Sequence, residues 1–311
     1  MTSRSLLSLL VALCVVLGGT VRAQPDLPSA NPTESPISDT ADAEWDTALT
    51  GKLSASQAAY KDWQEGGLNS LAFTTMLDGA AERKGDRWAQ AYDMRLVLGF
   101  LDQEGREIRK SEDLIRLHSD LQFRGEGFFR QFNPTVAWTL RTQFASGFDY
   151  SENPYPTGHP KDGEEPPVQT AAFFAPATIT ESLGLTYEPA ASLSVLLGIA
   201  SKQTIVAERD FRVLYGVDED DLIRNEGGGQ LVATFNHGLT EDIRYRSQMN
   251  LFFAARQLDV PPDVIFENVV NLEVNDWIST DLEFVALYDR DTTRAVQIKE
   301  VISVGMSFTL L

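Results

Sequence analysis

From Trp45 onward, apolar and polar residues alternate with a period of two in one segment after another. Twelve segments carry the pattern, near 44–58, 68–80, 87–100, 113–124, 134–150, 172–187, 191–206, 228–237, 242–257, 263–274, 277–289 and 296–310. A period of two is that of an extended strand with one apolar and one polar face. The pattern is sharpest in the last segment, where Val296, Ile298, Ile302, Val304, Met306, Phe308 and Leu310 oppose Gln297, Lys299, Ser303, Gly305, Ser307 and Thr309. In 87–100, Trp88, Tyr92, Met94, Leu96, Leu98 and Phe100 oppose Ala89, Ala91, Asp93, Arg95 and Gly99. Segment 134–150 sets Val136, Trp138, Leu140, Phe144 and Phe148 against Thr135, Thr139, Arg141, Gln143 and Asp149; segment 242–257 sets Ile243, Tyr245, Met249, Leu251 and Phe253 against Arg244, Arg246, Gln248, Asn250 and Arg256. Alternation is weaker in 44–58, 68–80 and 191–206.

Strands that are apolar on one face and charged on the other predict an all-β fold, a transmembrane antiparallel β-barrel with lipid outside and a polar lumen inside. Glu300 breaks the apolar parity of the last segment, ten residues before Leu310. In a strand tilted about 40°, ten residues climb roughly 25 Å, the height of the lipid-facing band, so Glu300 falls at the far interface. Connection lengths agree with this reading. With both termini periplasmic, the two longest connections, 151–171 and 207–227, fall on the extracellular side; the tight ones at Glu188-Pro189, Gly238 to Glu241 and Asn275-Asp276 fall on the periplasmic side. The stretch from Arg124 to Asn133 is the exception, longer than a periplasmic turn should be.

The N-terminal region reads as an export signal. Arg4 precedes the apolar run Leu6 to Leu17 and the small-x-small pattern Val21-Arg22-Ala23, which makes 1–23 a signal peptide. Residues 24–43, rich in Pro, Ser, Asp and Thr, read as a flexible periplasmic leader, and 44–311 as the barrel. The one cysteine, Cys14, lies within the signal, so disulfides and cysteine metal sites are excluded from the mature chain. Aromatic residues fall where interfacial girdles belong: Trp45, Trp88, Tyr187 and Phe308 near the periplasmic rim, and Phe100, Tyr150 and Tyr288 near the outer one.

Four stretches carry a family resemblance. They are Trp63-Gln64-Glu65-Gly66-Gly67-Leu68-Asn69-Ser70, Thr142-Gln143-Phe144-Ala145-Ser146-Gly147-Phe148-Asp149-Tyr150, Ala175-Pro176-Ala177, and Leu287-Tyr288-Asp289 with Lys299-Glu300. In order and spacing, from roughly Trp45 to Leu310, the chain resembles a family of outer-membrane proteins of Gram-negative bacteria known as a domain of unknown function. The resemblance implies a barrel in the bacterial outer membrane and no assigned activity. Outer-membrane barrels usually end on an aromatic residue read by the barrel-assembly machinery; here Leu310 takes that parity and Leu311 follows.

Composition narrows the partners. Acids outnumber bases 45 to 26, for a net charge of −19, and arginine outnumbers lysine 19 to 7. Nucleic acid is therefore not an expected partner; lipid and the assembly machinery are. The acidic runs Asp218-Glu219-Asp220-Asp221 and Asp162-Gly163-Glu164-Glu165 fall in predicted outer loops and fit either a saline habitat or an ordinary acidic surface. They lack the spaced ligands of a calcium loop. Gly227-Gly228-Gly229 reads as a flexible strand entry or bulge rather than a phosphate cradle. Of the three histidines, His118 is assigned to the lumen, His159 to an outer loop and His237 to the periplasmic rim; none has a serine two residues away, and no catalytic, metal or cofactor site is expected.

The remaining functional signal is a set of charges on the polar parity: Asp93, Arg95, Arg116, Asp120, Arg141, Arg244, Arg246, Glu267, Glu273, Asp281 and Glu283. In the segments 242–257, 263–274 and 277–289 arginines stand beside acids, which favours mutual neutralisation across neighbouring strands. Such charges serve either a salt-bridged filling of a narrow interior or a pore that selects a small solute. Twelve strands lie between filled eight-stranded barrels and open sixteen-stranded porins, so strand number does not decide. The expected function is a narrow channel or uptake pore for small polar solutes; the alternative is a non-transporting structural or adhesive barrel acting through its acidic outer loops.

Overall fold

The computed structural model describes residues 44–60, 68–256, 259–293 and 295–310. The predicted signal peptide and leader, and Trp63 to Gly67 of the family resemblance, lie outside them. The strands are β1 (Trp45–Ala58), β2 (Ser70–Lys84), β3 (Trp88–Gln103), β4 (Arg109–Phe123), β5 (Phe132–Thr142), β6 (Gly147–Asp149), β7 (Val168–Ala171), β8 (Ala177–Ala190), β9 (Leu193–Ile205), β10 (Ile223–Gly238), β11 (Ile243–Ala254), β12 (Asp263–Asn275), β13 (Ile278–Tyr288) and β14 (Gln297–Thr309). All but β6 and β7 close into one antiparallel barrel in which each strand pairs with its sequence neighbours, β5 with β8, and β14 with β1. The seam runs from Thr50 opposite Thr309 to Ser54 opposite Gly305. Closure satisfies the edge amides and carbonyls that lipid could not.

Alternation decides which side chains meet lipid. Leu197, Ile199, Ile298 and Ile302 stand outward, Ile302 with 76% of its surface exposed, whereas their neighbours Ala200 and Lys202 are buried inside. An apolar exterior around a charged interior is the arrangement a membrane-spanning barrel requires. At the end where connections are short (85–87, 124–131, 191–192, 239–242, 276–277), aromatic rings form a belt. Trp88 stacks edge-on against Phe123 at 5.1 Å, and Phe132 bridges Phe128 at 4.8 Å and Tyr187 at 5.1 Å. The unexpectedly long connection there is taken up by a 3-10 turn, Gly127–Arg130, that carries Phe128 and Phe129 into this belt.

Three sequence expectations are corrected. The segment 134–150 is not one strand: β5 stops at Thr142, because the Asp113 carboxylate accepts the amides of Phe144 (2.7 Å) and Ala145 (2.9 Å) and turns the chain away. Gln143 then donates to the carbonyls of Ala172 (3.1 Å) and Ala175 (2.8 Å), so 172–176 is a turn and β8 starts at Ala177. Second, Gly227 to Gly229 is neither entry nor bulge but regular β10, in register with both β9 and β11; a side chain at 228 would collide with the Phe253 carbonyl. Register shifts occur instead at Gly99/Phe100, Tyr187/Ala190 and Glu273/Asn275. Third, the longest connections are not plain loops. β6 and β7 form a small hairpin, and Tyr155, Val168, Ala175, Val206, Phe211 and Val217 bury one another in a separate core. Tyr155 donates to the Gln169 carbonyl (2.9 Å) and Tyr215 to that of Thr170 (3.1 Å). Burial pushes both hydroxyls up to about 12. This cap sits at the long-connection end, held by Lys110, Asp113 and Gln143 on one side and by Arg224, which reaches the Gly216 carbonyl and Asp291, on the other.

Candidate functional site in the barrel lumen

Register places three arginines side by side on the inner wall: Arg95 of β3 lies opposite Arg116 of β4, and Arg116 opposite Arg141 of β5. Like charges in adjacent ladder positions repel, so the row needs acids from elsewhere. They come from the far wall. Glu267 of β12 takes Arg116 at 2.6 Å and Arg141 at 3.1 Å. Because β4 and β12 are six strands apart in a ring of twelve, that contact spans the lumen along a diameter. Arg95 lies 3.8 Å from Asp78 of neighbouring β2 and 3.8 Å from Glu283 of β13, whose other oxygen accepts Lys299 at 2.9 Å. Lys299 also reaches Glu112 of β4 at 3.0 Å. Asp281 is held by Lys52 and by Asn271, which donates at 2.6 Å.

These contacts form a clamp that draws opposite walls together at mid-height. Nearer the long-connection mouth, Lys202 of β9 is buried against Asp263 (2.6 Å), Asp289 (3.0 Å) and Glu226 (4.0 Å). Below the clamp, towards the short turns, His118 Nδ1 lies 2.9 Å from the Thr139 hydroxyl and its Nε2 3.8 Å from Asp120, which also accepts Gln122 at 3.1 Å. Asp93 faces His118 in the ladder. Among the described residues no three His, Cys, Asp or Glu side chains are grouped to hold a metal ion.

The structure thus gathers six of the predicted charges into three neighbouring groups of contacts, Arg116 and Arg141 on Glu267, Arg95 on Glu283, and Asp281 on Lys52. Arg246 stands in register with Val269 and Asn236 and so has no acid directly opposite it on either neighbouring strand, while Glu267 of β12 reaches across the lumen to Arg116 and Arg141. Glu273 is exposed at the short-turn rim beside a bulge and joins no ion pair among the described residues. His159 stacks on Tyr155 within the cap and His237 lies beside Phe235 near the rim, where the sequence places them.

Sequence reasoning misses Lys52, Asp78, Glu112 and Lys299 as partners of these charges, and Lys202 with its own acids nearer the mouth. Lys52, Asp78 and Lys202 lie on strands whose alternation is weak. With the strand ends known, all three have the inward parity, so the signal exists but needs the register to be read.

No curated protein matches the sequence. Among solved structures, the chain is similar to the translocator domain of the autotransporter NalP from Neisseria meningitidis, at 9% identity and a TM-score of 0.35, over 87% of this chain and 89% of that one. It is also similar to an outer membrane channel from Pseudomonas putida F1, at 9% identity and a TM-score of 0.37, over 89% of this chain and 99% of that one. These are likenesses of chain path; the twelve-stranded barrel itself rests on the strand pairing above. A family model described as a protein of unknown function (DUF3078) matches residues 55–148, a shorter stretch than the sequence resemblance spans, running from the end of β1 into β6 and including Arg95, Arg116 and Arg141.

Proposed function

We propose that the protein is a bacterial outer-membrane barrel that works as a narrow channel for small polar solutes, with its short turns and both barrel termini in the periplasm. One observation carries the reading: beside clamp members that are largely covered, such as Lys52 and Arg95, other charges of the inner wall stay open to solvent. Arg141 keeps 32% of its side-chain surface and Asp78 34%, and the inward-facing Arg246 is exposed. A dry salt-bridged filling would bury these groups, since unpaired charge in low dielectric is costly. A wet constriction lined with fixed charge instead filters small solutes by size and sign. The cap sits over the long-connection end, and its anchor Arg224 also pairs with Glu226 beside Lys202. Reconstitution tests the reading. Planar bilayers with the purified barrel should show a small, steady ion conductance, and proteoliposomes should swell in small polar solutes. A folded barrel that does neither would overturn the channel and leave a structural or adhesive role, with the ordered cap as its contact surface.

A further inference from the structure

Most lumen charges have a partner in contact; Arg246 and Asp93 do not. Neither makes a side-chain hydrogen bond or ion pair with any described residue. They belong to β11 and β3, which are six strands apart in the ring of twelve and therefore face each other across the lumen. Each lies within electrostatic range of the other without touching it. The groups acting most strongly on Arg246 are Arg95, Asp78, Asp281 and Arg116; those acting on Asp93 are His118, Arg116, Arg246 and Asp78. Asp281 is occupied by Lys52, Arg116 by Glu267, and Arg95 stands between Asp78 and Glu283 at 3.8 Å from each, so the groups around the pair already face partners of their own. Asp120 stands two residues from His118, near Asp93, and accepts only Gln122 at hydrogen-bond distance.

Beneath the clamp, then, a solvent-exposed positive group on one wall and one or two carboxylates on the other stand opposite without touching. Two fixed opposite charges that do not meet impose a transverse field, strongest where the low-dielectric wall keeps water from screening it. A solute with a carboxylate at one end and an ammonium at the other fits such a gap in one orientation, its carboxylate on the Arg246 guanidinium and its ammonium on Asp93 and Asp120. We propose that this part of the lumen is a binding site for a small zwitterion of the amino-acid class. The inference rests on the channel reading and names the solute class for the same lumen.

The test uses the full barrel in planar bilayers and proteoliposomes with glycine as zwitterion, acetate and methylammonium as single-charge controls, and glycerol as the neutral one. Glycine is expected to reduce the ionic conductance as it occupies the site and to swell proteoliposomes faster than glycerol. Arg246→Gln and Asp93→Asn should each weaken the half-maximal block by glycine roughly tenfold, the factor carried by one charge-assisted hydrogen bond. Arg246→Lys should keep most of it. Neither neutral variant strands a contacting partner, so heat-modifiable gel mobility should match the parent and separate loss of binding from loss of fold. Conductance without glycine block, or block indifferent to both substitutions, overturns the zwitterion site and leaves the channel standing. Block by acetate that only Arg246→Gln relieves would also overturn it, in favour of an anion site. Absence of any conductance or swelling would sink the channel reading instead.

Discussion

The lumen distinguishes residues of the same type by whether their charge is answered. Glu267 alone holds two guanidinium groups from the far wall, so Glu267→Gln leaves Arg116 and Arg141 facing each other in the ladder with their acid gone. Breaking a partly buried pair costs most when the remaining charge stays dry; with water in the lumen the loss should be about 1–3 kcal/mol. Arg246→Gln removes a charge that no contact satisfies and should move stability by less than about 0.5 kcal/mol. Urea unfolding of the two variants in lipid vesicles checks the contrast, and equal midpoints would contradict the clamp. This distinction was not legible in the sequence. Arg116 and Arg246 look alike there, each on a polar parity among apolar neighbours, because alternation reports the face of a strand and not the strand it looks at. Six of the eleven lumen charges picked out from parity, Arg95, Arg116, Arg141, Glu267, Asp281 and Glu283, do find a contact partner, in three separate groups. Their partners Lys52 and Asp78 escaped notice because the strands carrying them alternate weakly, with glycine and small residues beside them.

At the level of the element, alternation carried nearly all the information, since lipid on one side and water on the other enforce it at every turn of the pleat. It located every barrel strand and failed where the chain kept alternating after leaving the barrel. Phe144 and Phe148 continue the rhythm of β5, yet Asp113 captures the amides of Phe144 and Ala145, and Phe148 belongs to the hairpin with β7. Such a break is a side-chain to backbone contact between residues distant in sequence, and no periodicity encodes it. The closing strand offers a direct test of the faces. Met306 points outward at the level of Ile278 and Leu53, whereas Ser307 points inward, its hydroxyl 3.0 Å from that of Ser279. Met306→Asp places a carboxylate against lipid at a cost of up to about 2 kcal/mol, graded by depth, while Ser307→Asp enters a polar lumen and should be far milder. Heat-modifiable gel mobility of the two variants should differ accordingly; identical assembly defects would mean that the parity of β14 is reversed.

For the molecule as a whole, the even strand count lets β14 pair antiparallel with β1 and close the ring, while orientation in the membrane is a separate matter. Long connections concentrate at one end and short turns at the other, the pattern of barrels whose short turns face the periplasm and whose longer connections face outward. The cap's own core of Tyr155, Val206 and Phe211 shows that this end carries structured polypeptide, and its acidic tip Asp218 to Asp221 projects into solvent, Asp220 being 94% exposed. If that end faces outside, Asp220→Cys should react with a membrane-impermeant maleimide on intact cells. The substitution removes only an exposed ion pair with Arg209, worth little to stability. The chain's own cysteine, Cys14, lies in the predicted signal peptide, so the mature protein should give no background labelling. Leu239→Cys, in an exposed short turn at the opposite end, serves as the counterpart and should react only once the outer membrane is permeabilised. The two sites must behave oppositely, because a closed barrel fixes its ends on opposite sides of the bilayer. Labelling of Leu239→Cys on intact cells with Asp220→Cys protected would invert the topology, place the cap in the periplasm, and make solute meet the zwitterion gap before the clamp on its way in.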